Sequence, residues 1–178
     1  MPDPFVSTQD LVDYLGRGTA TDPGMLIAVD AACDMVRTLA EQSFNAGTAT
    51  QTLDGTDTDA LILRERPVGT VTAVSVAGSA VTDYVYTDDG LLFRQDDYGT
   101  LTWPEGRRNV EVTYEYGYAD DDLPRDVRMV ALAIATRIVV QGAAAEESVG
   151  ESRVKYATNS TDLTSGEKMI LRKYKRLA

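Results

Sequence analysis

The residues best suited to chemistry in this sequence are three consecutive aspartates, Asp120, Asp121 and Asp122. Carboxylates of this kind can hold Mg²⁺ or Ca²⁺, or act as acid and base. A calcium loop, however, needs spaced acids, a central glycine and a distal glutamate, and these are missing here. The triplet directly precedes a predicted helix, where negative charge is favourable at the N-terminal end of the helix dipole. We therefore interpret it as a helix start and keep a Mg²⁺-dependent hydrolase as an alternative hypothesis.

No other catalytic motif is apparent. The sequence has no His, which excludes Ser-His-Asp, Cys-His and histidine-based zinc sites. Phosphate loops, dinucleotide fingerprints and nucleophile elbows are also missing. Cys33 falls on the apolar face of a predicted helix, where a small core residue is expected, while Asp88-Asp89 and Asp96-Asp97 flank predicted turns. We accordingly expect no catalytic residue, no cofactor and no metal.

The charge of the chain changes sign near its C-terminal end. The formal net charge is −11, yet residues 151–178 carry +4, from four Lys and three Arg against three acids, and residues 1–150 carry −15. An acidic body argues against tight binding to nucleic-acid phosphates, whereas a basic segment suits docking on an acidic protein surface. We predict that the docking contacts come from Arg153, Lys155, Tyr156, Lys168, Arg172, Lys173, Tyr174 and Arg176.

The length and composition predict a soluble protein. At 178 residues the chain can bury roughly two-thirds of its unfolded surface in one domain, with or without an insertion. The N-terminal MPDPFVSTQD has no basic and apolar signal region, and no apolar run approaches the roughly 18 residues of a membrane span. We expect a protein made in a reducing compartment, with no membrane contact.

Helical periodicity begins near the N-terminus. Ser7 and Asp10 have the spacing of a capping box for a two-turn helix, and Asp22-Pro23 start a second helix that extends to about Phe44. Its predicted buried stripe, with the apolar residues beside it, is Leu26, Ile27, Val29, Ala32, Cys33, Val36, Leu39 and Ala40. Its predicted outer face is Asp30, Asp34, Arg37, Glu41 and Gln42.

Two further helices are predicted in the C-terminal half. A strongly apolar one starts at Pro124 and stops at Gly142, although the following alanines can continue it past a kink. Thr164 and Glu167 form a capping box for the last helix. We assign its apolar face to Met169, Ile170, Tyr174 and Leu177, opposite its basic side chains.

Between the helical parts, an alternating pattern rich in Val, Thr, Tyr and Leu predicts strands. The predicted strands are 50–53, 61–64, 68–76, 83–86, 91–94, 101–103 and 110–116, with a short edge strand at 153–157. Asp54-Gly55 and Asp89-Gly90 are hairpin signals, and Ala77-Gly78 is a further break. In 110–116 the clean alternation predicts one buried face and one polar face.

The sequence therefore predicts an α+β fold. We expect a small helical bundle of three or four helices, an inserted antiparallel β block and an extended C-terminal strand-helix tail. The predicted parts are N-terminal helices in 1–48, the β block in 49–118, the central helix in 119–147, and a docking arm with the basic helix in 148–178.

The order of these elements resembles the head-tail connector (adaptor) proteins of long-tailed double-stranded DNA bacteriophages. The residues that carry the resemblance are Tyr114-Glu115-Tyr116-Gly117-Tyr118, Asp122-Leu123-Pro124-Arg125-Asp126-Val127 with the helix to Val140, Gly150 to Tyr156, and Leu163-Thr164 to Arg176. The likeness spans nearly the whole chain, and the β block looks larger than the loop of the simplest members.

The resemblance implies a structural virion protein at the head-tail junction, assembled in the bacterial host cytoplasm. It implies a homo-oligomeric, twelvefold ring under the portal protein, which carries the next head-completion or tail protein and lets DNA pass through its centre without being read. The predicted docking residues would then contact the portal or a neighbouring subunit. Another virion connector, such as a head-completion stopper or a tail-end protein, is an alternative of the same class.

Overall fold

The structure is a computed structural model that describes residues 3–119, 121–146 and 163–175. These residues form two compact units, one within Met1–Glu41 and Leu123–Lys175 and the other within Gln42–Asp122. The first unit is helical and the second consists of antiparallel strands, so the predicted α+β class is confirmed. The edge strand predicted at 153–157 lies outside the described residues. No helix in the described part of the chain is long and apolar enough to span a membrane.

Among the described residues, the helical unit contains four helices, and three of them start at the predicted capping residues. The helices are α1 (Thr8–Leu15), α2 (Pro23–Ala40), α3 (Arg125–Glu146) and α4 (Ser165–Lys173). Ser7 and Asp10 form the predicted capping box of α1, and Thr164 and Glu167 form that of α4. Asp22 caps α2 by accepting a hydrogen bond from the backbone of Gly24. Each cap satisfies backbone N–H groups that the first helical turn leaves unpaired.

Helix α3 is the centre of the helical unit, since it packs against α1, α2 and α4. Its inner face, on which apolar residues recur at a spacing of three and four positions, is buried at Val127, Val130, Ala131 and Ile134. Cys33 on α2 is also buried, as predicted, and burial raises the pKa of its thiol. Helix α3 does not stop at Gly142 but continues to Glu146, which is the alternative that the following alanines left open. A glycine inside a helix costs only about 1 kcal/mol, and three alanines, the strongest helix formers, follow it.

The end and the outer face of α2 differ from the prediction. The helix ends at Ala40 rather than Phe44, because Glu41 adopts a left-handed conformation with φ of 55°. Leu26, Ile27 and Leu39, which were expected to be buried or beside the buried stripe, are exposed at 45%, 66% and 40%. Gln42, expected outside, is buried. Residues after the helix no longer follow its periodicity, so their burial could not be read from it.

The β unit contains two antiparallel sheets. Its strands are β1 (Gly47–Gly55), β2 (Ala60–Ile62), β3 (Val68–Val76), β4 (Ser79–Ala80), β5 (Tyr84–Tyr86), β6 (Leu91–Asp96), β7 (Gly99–Thr100) and β8 (Gly106–Tyr116). The larger sheet has the order β1-β8-β3-β4. The smaller sheet has the order β2-β6-β5, and β7 pairs with β6.

The two sheets share one apolar core. The larger sheet contributes Val71, Val74, Val110, Val112 and Tyr114, and the smaller sheet contributes Leu61 and Leu92, with Leu63 and Trp103 from the connecting segments. The indole Nε1 of Trp103 donates a hydrogen bond to the carbonyl of Leu92. As predicted for 110–116, the inward side chains of β8 alternate with exposed Glu111 and Glu115 and half-buried Thr113.

Two predicted features of the β unit are wrong. Asp54-Gly55 does not form a hairpin, because β1 pairs with β8 along Gly47–Gly55. Gly55 is required there for a different reason, since a Cβ atom would lie 1.9 Å from the carbonyl oxygen of Pro104. Residues 101–103 form no strand, and Trp103 instead buries its side chain in the core. The hairpin predicted at Asp89-Gly90 is present between β5 and β6.

Candidate docking surface

Helix α4 carries part of the predicted docking site, and an ion pair fixes its first turn to α3. The guanidinium of Arg137 donates two hydrogen bonds, of 2.9 and 3.0 Å, to the two carboxylate oxygens of Glu167. Glu167 also accepts a hydrogen bond from the backbone N–H of Thr164 at 2.8 Å. One side chain therefore closes the capping box and joins the two helices.

These contacts lower the pKa of Glu167. Burial of the carboxylate would raise this pKa, but the hydrogen bonds from Arg137 and Thr164 outweigh burial and hold it below its ordinary value. The side chains of Arg137 and Glu167 are only 21% and 11% exposed. Little water therefore competes for the pair, and Glu167 stays charged at neutral pH.

The C-terminal end of α4 is attached to the first turn of α3. The hydroxyl of Tyr174 donates a hydrogen bond of 2.8 Å to Asp126 Oδ1, and Lys173 Nζ lies 3.7 Å from Asp126 Oδ2. Between the two attachment points, Leu171 is buried. Just beyond the helix, Lys175 Nζ pairs with Glu41 at 2.9 Å. These contacts hold α4 in one orientation on the helical unit.

The opposite side of α4 is exposed and basic, and we call Lys168, Met169, Arg172 and Lys173 the basic helix face. Glu167, Leu171 and Tyr174 have the three- and four-residue spacing of one helix face, and this face points toward the helical unit. The four residues of the basic helix face lie on the other side of the helix and point outward. Met169, which was predicted to belong to the apolar face, is 69% exposed. That prediction is wrong because the Arg137–Glu167 pair sets the rotation of the helix.

The predicted docking residues fall into three groups. Lys168, Arg172 and Lys173 lie on the basic helix face, and neither Lys168 nor Arg172 pairs with an acid among the described residues. Tyr174 lies on the inner face and holds α4 in place. Arg153, Lys155, Tyr156 and Arg176 lie outside the described residues.

The aspartate cluster does not form a site in the described part of the chain. Asp120 lies outside it, and Asp121 and Asp122 are both exposed just before α3. No group of three or more acidic, Cys or His side chains that could hold a metal ion occurs among the described residues.

The smaller sheet has an apolar surface that was not predicted from the sequence. It is formed by Ala60, Ile62, Val85, Leu91 and Phe93, and we call it the outer sheet face. Ala60 and Val85 both pair with Phe93, and Ile62 pairs with Leu91, so the five side chains occupy one face across three strands. Ile62 and Val85 are 40% and 46% exposed. Their neighbours Leu61 and Leu92 point the other way, into the core.

A family model identifies the family of the chain, and solved structures share its fold. A family model described as head completion protein matches residues 5–177, and no curated protein matches the chain. The chain is similar to a chain in the neck of a native GTA particle computed with C12 symmetry, with a TM-score of 0.57, 15% identity, and 96% of this chain and 88% of that chain covered. It is also similar to one in the neck of an empty GTA particle computed with C6 symmetry, with a TM-score of 0.58, 16% identity and coverages of 99% and 92%. A third match is in the virion of a native gene transfer agent particle, with a TM-score of 0.57, 16% identity and coverages of 100% and 94%.

Proposed function

The chain belongs to the head completion protein family, and we propose that it is an adaptor that forms a ring beneath the portal of a filled capsid. Family membership makes it a structural protein of the virion head-tail connection, which confirms the resemblance and sets the hydrolase alternative aside. In this proposal the ring links the portal to the next connector or tail component, and it is assembled in the cytoplasm of a bacterial host.

The observation that carries the proposal is a fold shared over the whole chain with subunits of symmetric necks. The similar chains come from particle necks computed with C12 and C6 symmetry, and the alignments cover 96% and 99% of this chain. A twelvefold ring is compatible with both symmetries, since a twelvefold axis contains a sixfold one.

The charge distribution supports a channel through which DNA passes without being read. Residues 1–150 carry a net charge of −15, and tight binding of DNA rests on cations that neutralise phosphates. The exposed face of β8 presents Glu111 and Glu115. An acidic wall repels the DNA backbone, so DNA can slide past it.

We further propose a division of labour along the chain. The helices within 1–48 and 119–147 form the body of the subunit, and 49–118 is an inserted β block. The arm of 148–178, with the basic helix face, docks on an acidic surface of the portal or of a neighbouring subunit. The cations of α4 suit this role because the capping box and two attachment points present them from a fixed helix.

The test is a mixing experiment with purified portal rings. We expect the full chain to sediment with the portal and to add a ring of twelve subunits in electron micrographs. The variant Lys168→Glu/Arg172→Glu, which leaves the Lys173–Asp126 contact intact, should lose ring formation, portal attachment or both. The matched control, Arg17→Glu/Arg107→Glu, changes the net charge equally at exposed positions and should assemble normally. Absence of any ring with the native chain would refute the adaptor proposal.

A second candidate is a head-completion stopper or a tail-end protein. The description of the matched family, head completion protein, favours it. A map of the assembled virion decides between the two, because an adaptor contacts the portal directly and a stopper or tail-end protein does not.

A further inference from the structure

The outer sheet face is an apolar surface surrounded by negative charge. Residues 57–97, which include the smaller sheet, hold eight acids and three Arg, a net charge of −5. Asp59 precedes β2, Asp88 and Asp89 lie in the β5–β6 turn, and Asp97 follows β6, and all four are exposed. The acids therefore lie at both ends of the strands that carry the apolar side chains.

The large apolar side chains of this face are only partly covered by the rest of the β unit. Ile62 and Val85 belong to the large apolar side chains that are substantially exposed in the described residues. Leu91 and Phe93 between them are half-buried and are not part of the core shared by the two sheets. Contiguous apolar patches rimmed by polar groups mark interaction sites.

The basic helix face complements the outer sheet face, because it combines an exposed apolar side chain with positive charge. Met169, at 69% exposure, lies between Lys168, Arg172 and Lys173, so an apolar centre is surrounded by positive charge. Methionine adapts its shape to irregular apolar surfaces. Complementary potentials also favour docking and select the partner.

We propose that the basic helix face of one copy docks on the outer sheet face of a second copy. Met169 would contact the apolar side chains of the outer sheet face, and the three cations would face the acids at the ends of its strands. The two surfaces belong to different parts of the chain, so each copy can offer its basic helix face to one neighbour and its outer sheet face to another. This is a heterologous contact, the type that closes into a ring when the rotation between copies closes. This inference rests on the proposed ring and names the surfaces that hold it together.

Cysteine cross-linking between two single variants tests the contact. Met169→Cys is mixed with Val85→Cys under assembly conditions and oxidised, and native Cys33 stays unreactive because it is buried. We expect a disulfide-linked pair of the two variants. The matched control is Met169→Cys with Thr50→Cys, which places an exposed thiol on β1 of the larger sheet, and it should give no pair. Equal cross-linking in both mixtures, or none in either, overturns the inference.

A second measurement separates failure of this contact from failure of the proposed function. Val85→Asp should weaken ring formation about tenfold or more in sedimentation experiments, because it places a charge among the apolar side chains of the outer sheet face. The control variant Thr50→Asp should leave ring formation unchanged. If rings form normally with Val85→Asp, the inference fails while the adaptor role stands. The same holds if reversing the cations of α4 abolishes portal attachment but not the ring. If the native chain forms no ring, both fail.

Discussion

The attachment of α4 to α3 rests on the Arg137–Glu167 pair, and Arg137→Met should release the helix. An isolated helix of nine residues is unstable in water, so α4 depends on its contacts. Removing one partner of a fully buried ion pair costs about 3–5 kcal/mol. Because these side chains are 21% and 11% exposed, we expect a smaller cost of about 2–3 kcal/mol.

This cost should appear as local opening rather than global unfolding. A loss of about 2–3 kcal/mol raises the population of detached α4 by roughly 30- to 150-fold. Hydrogen exchange measured by mass spectrometry on a peptide covering 163–175 should accelerate by that factor, while peptides from α1 and α2 keep their protection. The matched control is Lys168→Met, which removes an exposed cation without a described acidic partner and should leave exchange unchanged.

A double variant distinguishes the ion pair from general loss of packing. Glu167→Gln keeps the capping box, in which Gln can replace Glu, and it removes the charge that Arg137→Met leaves without its partner. The double variant Arg137→Met/Glu167→Gln should therefore exchange more slowly than Arg137→Met alone. If Arg137→Met changes exchange in 163–175 less than about threefold, or the double variant is the more open of the two, the ion pair does not hold the helix.

Three further predictions concern pH and the β unit. The lowered pKa of Glu167 stabilises the folded state above the ordinary value of 4.5, and this contribution is lost as the pH falls through the folded-state pKa; protection of α4 should fall there, and Glu167→Gln should remove this dependence. Tyr114→Phe removes a hydroxyl that donates to Gln51 Oε1 and accepts from Glu65 N–H, so urea unfolding should show a loss of about 1–3 kcal/mol, whereas Tyr98→Phe at a 97% exposed position should show none. Gly117→Ala combines a φ of 86° with a Cβ atom 2.1 Å from the carbonyl oxygen of Asn45 and should cost more than about 2 kcal/mol. Gly78→Ala, with positive φ but open space, should cost only about 1–2 kcal/mol.

The helix starts could be predicted from sequence because they depend on residues close together in the chain. The capping boxes at Ser7 and Thr164 and the cap at Asp22 each join residues two or three positions apart. The inner face of α4 could not be predicted in the same way. Its rotation is set by Arg137 and Asp126, which are 30 and 48 residues from their partners Glu167 and Tyr174. The prediction that Met169 is buried rested on hydrophobicity alone.

Only one of the two candidate surfaces, the basic helix face, could be predicted from the sequence. The cations of α4 are visible in the sequence as a charge change, and their exposure follows from charge. The outer sheet face was missed because β2, β5 and β6 begin Ala-Leu-Ile, Tyr-Val-Tyr and Leu-Leu-Phe, with apolar residues at successive positions. Such runs are typical of strands buried on both faces, and whether the second face is covered depends on the rest of the fold.

The charge around the outer sheet face also bears on which assembly the chain can form. Two copies of this face carry the same negative rim, so pairing face to face would bring like charges together at both ends of the strands, which is unfavourable. The same repulsion opposes pairing of two basic helix faces. Twofold dimers in which either surface pairs with its own copy are therefore disfavoured, and the favourable combination is one surface of each kind. A chain with both surfaces can then bind a neighbour on each side, which is the arrangement that a closed ring requires.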